Sequence, residues 1–434
     1  MQLNKWLVLV LGALCLVIVA GFLRQSHLYY MAAILLTLPG VSYALGWYAQ
    51  HDLEFTREMP HVAWEGEEGR LNYVVRNPTR LARFFLTIQE PLPGWISSAE
   101  DDAPLFNVAA LDEVRVTHRV HFHRRGVYQA TGFDVTAMDP LGVFAFTRHI
   151  PAEGELVVYP LPQTLRGSTL SGTERYGWQE FTSRLLRGSS VDPDGVRPYV
   201  PGDPMRRIHW RQTARTGKLS VIEFEESQAT NLVIALDLEK GTEIGEGDDT
   251  TLEYGVRLAA TLAQQAIEQG TSVRLLLPEM ANNDMSGTLA AATRDGRGQA
   301  HLYLILDALA RVQANATTSL HQLVEENAFS VQPGTTLLII TAKPDTTLSA
   351  SFASYLAIGV KIGLAYVDPA SFLTGRGDRE SQKSEAFLAS LAALRLPTFV
   401  VRSAPNGVLD PEEVTYGQSV ERAGERPEAA LAGH

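Results

Sequence analysis

Cysteine is almost absent from this chain: Cys15 is the only one in 434 residues. That excludes an intrachain disulfide and any zinc site built on cysteine. No Walker-type Gly-Lys-Ser is present either, so the chain has no phosphate loop with which to hydrolyse ATP itself. A basic surplus is also missing. With 37 Lys and Arg against 49 Asp and Glu the formal charge is −12, the wrong sign for a general nucleic-acid binder. Ser189-Ser190 has no base beside it, which removes the one serine pair that suggests a nucleophile.

What the chain does have is apolar length at its start. Trp6 to Leu23 is 18 residues without a charge, and Leu28 to Ala49 is 22. Each is long enough to cross a hydrocarbon layer of about 30 Å as a helix rising about 1.5 Å per residue. Only Arg24 to His27 lie between them, so two spans so joined form a hairpin with every backbone group paired inside a helix. No clean small-x-small cleavage site separates the first run from a polar segment, which argues against a removed signal peptide. Lys5 and the terminal amine stand opposite Arg24 and His27, and Arg57 and Arg70 follow the second span. This slight positive bias places both ends inside, so the expectation is a two-span inner-membrane protein with its soluble part in the cytoplasm.

The remainder has 45% hydrophobic and 20% charged residues over the whole chain, a globular composition with room for two or three domains. Residues 51–160 read as a small β-sandwich. Val114, Val116, His118, Val120 and Phe122 alternate along one strand face, and Asp139-Pro140 and Gly142 mark a turn. His121 and His123 share the opposite face, but no carboxylate at matching spacing completes a metal set. Residues 161–229 read as a linker, with a short helix expected near Gln179–Leu186. Residues 230–403 alternate strand and helix patterns, beginning with the apolar strand Asn231–Glu239, as in an open doubly wound α/β domain. The tail 404–434, rich in Glu, Gly, Pro and Ala, is expected to be disordered. Arg376-Gly377-Asp378 reads as a loop.

The densest motif lies in the linker. Gly195 to Arg215 gathers Arg197, Arg206, Arg207, Arg211 and Arg215 around Asp203, with Tyr199 and Trp210 interleaved. Gly202-Asp203 reads as a turn, with Asp203 capping a helix begun by Pro204 that carries Arg207 and Arg211 on one face. Clustered guanidiniums need acidic partners. Two readings follow: an internal clamp onto Asp203, Glu223, Glu225 and Glu226, or a docking surface for an acidic partner. Five arginines and no activated nucleophile make poor acid–base machinery, so no catalytic residue is assigned.

This motif, with Arg197, Tyr199, Gly202, Asp203, Arg207, Ile208, Trp210, Ala214 and Arg215 in register, resembles the signature of the domain-of-unknown-function 58 family. The α/β region also resembles the von Willebrand factor A fold, whose metal site uses Asp-x-Ser-x-Ser after the first strand. Here the loop reads Asp237-Leu238-Glu239-Lys240-Gly241, so the aspartate is kept and both serines are gone. Asp237, Thr251 and Asp345 are the remaining candidate donors of a degenerate site for a hard ion such as Mg2+, with Lys240 and Lys343 intruding. The resemblance implies a non-enzymatic, membrane-anchored adaptor partnered with a MoxR-type AAA+ ATPase and a membrane transglutaminase-like protein, in assembly or maturation of other complexes. Two alternatives stay open: a metal-dependent hydrolase using Asp237, Asp345 and Asp203, and an envelope-facing binding protein.

Overall fold

The chain starts as two helices whose apolar side chains are largely exposed. The computed structural model describes residues 5–99, 104–163, 193–200, 208–224, 231–278, 292–373, 377–393, 396–404, 409 and 411–413. These divide into two units, Met1–Tyr159 and Pro160–His434.

In the first unit α1 (Lys5–Leu23) and α2 (Ser26–Ala49) are separated only by Arg24 and Gln25, with Arg24 left-handed at φ 54°. Both are long and apolar enough to cross a membrane. They meet through small residues, with Ala13, Ala20 and Ala32 buried, which lets the backbones approach closely. Leu11, Leu14, Phe22, Ile34 and Leu36 point outward.

Two sheets follow. One has the order β1 (Glu54–Glu58), β3 (Glu68–Arg76), β7 (Glu113–Phe122), β5 (Ile96–Ser98). The other runs β2 (Val62–Trp64), β9 (Ala145–Tyr159), β8 (Gly126–Met138), β4 (Arg83–Gln89), β6 (Phe106–Val108). Every second residue turns inward, so Leu71, Tyr73 and Val75 of β3 share a core with Leu86 and Ile88 of β4 and Phe133, Val135 and Ala137 of β8. On β7, Val116, Val120 and Phe122 join this core, while His118 packs edge-on against Tyr73. His121 and His123 stack near each other, with His123 Nε2 2.7 Å from Ser97 Oγ.

One charge pair lies inside the sandwich. Arg57 donates to Glu90 at 2.8 Å, with both side chains almost wholly buried. Glu90 also accepts from the hydroxyls of Tyr73 and Tyr128, and Arg57 reaches the Ala152 carbonyl. Burial first, and then the neighbouring Glu90, push the phenols of Tyr73 and Tyr128 above their ordinary range, so both stay protonated donors.

The second unit opens with a hairpin, β10 (Pro193–Pro198) against β11 (Ser220–Phe224), enclosing the short helix α3 (Trp210–Thr216). A six-stranded sheet then forms in the order β15 (Ser272–Leu276), β12 (Asn231–Leu236), β16 (Thr336–Thr341), β17 (Lys361–Val367), β18 (Thr398–Val401), β19 (Pro411–Glu413). All neighbours are parallel except β19. Helices cover both faces. Gly255 of α4 (Thr251–Glu268) lies against Leu236 and Ile340, and α5 (Gly298–Arg311) packs beside α4. The opposite face, with Val233, Ala235, Leu337, Ile339 and Leu364, packs on α6 (Leu320–Glu326), α7 (Leu348–Ala357) and α8 (Gly377–Ala393). This is the doubly wound arrangement expected from the alternating patterns.

Three details differ from the sequence reading. The region taken for a linker holds β10, α3 and β11. Part of the tail expected to be disordered supplies β19, because the open edge of β18 leaves unpaired backbone groups for an extended segment to satisfy. Gly377 and Asp378 begin α8 rather than sitting in a loop. The helix expected at Gln179–Leu186 and the tail beyond 413 lie outside the described residues.

Candidate functional sites

The arginine-rich segment is built on β11, which is used from both sides. Val221 pairs with Arg197 of β10 and also forms a bridge with Ile208. Tyr199 extends the hairpin by donating its N–H to the Leu219 carbonyl at 2.9 Å. The chain turns into α3 after Ile208, so the helix that carries Arg211 begins at Trp210. Its N-cap is His209, whose Nδ1 accepts from Gln212 N at 3.0 Å. Asp203 and Pro204, where the sequence reading placed a cap and a helix start, lie outside the described residues. The face pair on the helix is therefore Arg211 with Arg215, four residues apart, and not Arg207 with Arg211. Gly217, left-handed at φ 68°, closes the helix. Gly202, Asp203 and Arg207 lie outside the described residues, as does the side chain of Arg197.

What α3 presents is open to solvent. Trp210 is 64% exposed, and Arg211 and Arg215 are exposed as well. Among the described residues neither arginine forms an ion pair with a carboxylate. An exposed indole beside two exposed guanidiniums has the composition of a binding anchor.

The second candidate lies at the carboxyl ends of β12 and β16, where the strand order reverses and open α/β sheets form their crevice. Asp237 follows β12 and Thr341 ends β16, and the two meet: Thr341 Oγ1 donates to Asp237 Oδ2 at 2.7 Å. Asp237 Oδ1 accepts from Glu239 N at 3.1 Å. Thr251 lines the same cavity, but its hydroxyl donates to the Thr242 carbonyl and accepts from Ile244 N, holding the loop before α4. Asp345 is not brought to this point. Its Oδ1 accepts from the backbone and hydroxyl of Thr347, organising the approach to α7. Lys343 lies over the crevice and places Nζ 2.7 Å from both oxygens of Glu239. Lys240 is exposed and engages through its backbone, which donates to Ala316.

This geometry suits an ion poorly. The cavity beside Asp237 measures about 10 Å3, the lower limit for one water molecule, whereas Mg2+ keeps several waters and octahedral geometry. Both Asp237 oxygens already accept hydrogen bonds, and among the described residues no three His, Cys, Asp or Glu side chains converge as a metal set. Burial raises the Asp237 pKa despite the hydrogen bonds from Thr341 and Glu239. Lys343 moves the other way from what burial alone would do, because Glu239 beside it holds the ammonium charged. The charge complement of Glu239 and Lys343 was readable in the sequence only as two unrelated residues. Their pairing depends on adjacent parallel strands more than 100 residues apart.

A pH effect follows from Asp237. Its folded pKa lies above the unfolded one, so the stability it contributes is complete below the unfolded value and is lost as pH rises through the folded value. Asp237→Asn is expected to remove this pH dependence and to leave the neutral-pH melting temperature equal to or above wild type. Melting curves of both proteins over a pH series that runs upward from the ordinary carboxylate range check it. A variant that melts lower at every pH, with the wild-type slope retained, contradicts it.

The comparisons bear on the first of these sites. Residues 195–332 match the family described as Protein of unknown function DUF58. The DUF58 match opens within β10 at Gly195, takes in the rest of the β10–α3–β11 hairpin, and continues through β12, α4, β15, α5 and α6 to Gln332. It therefore includes the exposed Trp210, Arg211 and Arg215 and the buried Asp237, but neither Thr341 nor Asp345. No curated protein matches the chain. Solved structures give low similarity. Trypsin-activated alpha-2-macroglobulin from Escherichia coli is 14% identical at a TM-score of 0.21, over 36% of this chain and 9% of that one. The SrpA adhesin from Streptococcus sanguinis is 16% identical at 0.19, over 34% and 81%. The alkylpurine DNA glycosylase AlkC from Pseudomonas fluorescens is 13% identical at 0.18, over 31% and 40%. The chain thus spans about a tenth of the macroglobulin's length and under half of the glycosylase's, and at these scores none carries an argument about fold or function.

Proposed function

We propose that the protein is a non-enzymatic, membrane-anchored adaptor whose DUF58 segment docks an acidic surface of a MoxR-type AAA+ ATPase, in assembly or maturation of other complexes. A membrane transglutaminase-like protein fits the same assembly, and the α/β unit is read as a von Willebrand A-like scaffold. The observation that carries this reading is the exposed trio Trp210, Arg211 and Arg215, with neither arginine paired to a carboxylate among the described residues. The acids of the clamp reading, Asp203, Glu225 and Glu226 and the side chain of Glu223, lie outside the described residues, so the proposal rests on the exposure of the trio. The closed, hydrogen-bonded surroundings of Asp237 weigh against a metal-dependent hydrolase.

Detergent co-purification of the tagged full chain, with mass spectrometry of what it captures, tests the proposal. Recovery of an AAA+ ATPase supports it, and no ATPase in repeated captures overturns it. The proposed inner-membrane topology has its own test. A reporter fused after His434 is expected to signal from the cytoplasm, and a signal from the far side would favour the envelope-facing binder instead.

A further inference from the structure

The turn between β8 and β9, Asp139-Pro140-Leu141-Gly142-Val143-Phe144, has no part in the proposed docking, yet it is the most thoroughly self-bonded loop described in the first unit. Asp139 accepts from Leu141 N at 2.9 Å, Val143 N at 2.8 Å and Phe144 N at 2.6 Å. Gly142 N reaches the Asp139 carbonyl at 3.0 Å, and Pro140 has no N–H to place. Every N–H from Leu141 to Phe144 therefore has an acceptor inside the turn. Aspartate closes many turns in water this way; at bilayer depth such closure becomes a requirement, because lipid offers no partner to an open backbone donor.

The turn is also fixed to the membrane helix. Ser42 of α2 donates to Asp139, Tyr43 packs edge-on against Phe144 and Phe146 at 5.6 and 5.1 Å, and Gly46 lies where a Cβ would come 2.8 Å from the Phe146 ring. The 24 residues of α2 rise about 36 Å, and a 30 Å hydrocarbon layer takes about 20 of them. Counted from Ser26, Ser42 and Tyr43 come before that length is used up. The aromatic residues Tyr43, Trp47 and Tyr48 mark the same level as the membrane–water boundary. Leu141, at the tip of the turn, is 51% exposed.

We infer that the β8–β9 turn inserts into the bilayer at the headgroup–acyl boundary, with Leu141 in contact with lipid, so that the sandwich is held against the membrane surface beside α2. The inference rests on the reading of α1 and α2 as membrane spans, and the test separates the two. Single cysteines are placed in a Cys15→Ala background of the full chain, labelled with an environment-sensitive fluorophore, and reconstituted in vesicles of phosphatidylcholine and phosphatidylglycerol carrying shallow or deep doxyl quenchers. Leu36→Cys reports mid-span and Glu68→Cys reports the sandwich far from the turn. Leu141→Cys is expected to show blue-shifted emission and to lose most of its intensity to the shallow quencher, with Leu36→Cys lost to the deep quencher and Glu68→Cys unaffected. If Leu36→Cys is quenched while Leu141→Cys emits like Glu68→Cys, the insertion is overturned and the spans stand. If Leu36→Cys is not quenched either, the span reading fails and the insertion fails with it.

Discussion

Reversing Arg211 and Arg215 to glutamate is expected to abolish capture of the AAA+ partner while leaving the fold unchanged. Arginine and tryptophan at the centre of an interface are the residues whose loss most often weakens binding by about 30-fold or more each. Charge reversal adds repulsion from an acidic partner, which truncation does not. The two sites are adjacent on one helix, so their effects are not assumed to add. The fold has little reason to respond, because substitutions at exposed positions away from special features shift stability by about 0.5 kcal/mol or less. Capture efficiency and a melting curve of the same preparation read both quantities. Lost capture at an unchanged melting temperature supports docking. A lowered melting temperature points to the clamp, with the arginines held by internal acids. Retained capture on a folded variant removes this surface from the interaction. Trp210→Ala is a second probe without charge, expected to weaken capture in the same direction.

The largest loss of stability is expected from Glu90→Gln. Glu90 is the acceptor for Arg57, Tyr73 and Tyr128 at once, in a site sealed from water. The amide keeps the shape but loses the charge, and its NH2 turns one accepting position into a donor facing other donors. Arg57 is left buried without a counter-charge, bonded only to the neutral Ala152 carbonyl and a neutral amide. Removing one partner of a buried pair costs about 3–5 kcal/mol, most of it from the stranded charge. With a urea slope of about 1–3 kcal/mol per molar, the midpoint for the sandwich should fall by at least about 1 M. Hydrogen exchange of the β3, β4 and β8 amides locates the loss. A midpoint within error of wild type would show that water reaches this site and that the network does not hold the sandwich together. The consequence for function is indirect, since the same sandwich carries the turn that binds Ser42 of α2.

Much of this architecture was legible because it depends on local periodicity. The two uncharged runs fixed the helical hairpin through length alone. Alternation along Val114 to Phe122 gave β7 its inward face, and the continuous apolar strand before Asp237 showed a sheet covered on both sides. The arginine motif was legible as a motif, but its local geometry was not. Composition pointed to one helix running from Pro204 through Arg211, whereas the chain holds Ile208 in a bridge to Val221 and starts the helix at Trp210, capped by His209. A bridge to a strand on the far side of the loop has no sequence period and leaves no mark that spacing can detect.

The sequence by itself determined the class of each region: which segments are apolar enough for lipid, which alternate as strands, and which carry unpaired charge. Those properties follow from side-chain chemistry and the periods of 3.6 and 2 residues. Tertiary structure alone decided the pairings across long separations. It closed Glu239 with Lys343 and Asp237 with Thr341, buried Glu90 among two tyrosines and an arginine, and fixed Asp139 to Ser42. Each of these depends on which elements become neighbours. Strand order is set by the packing of whole layers, which no single segment of the chain encodes.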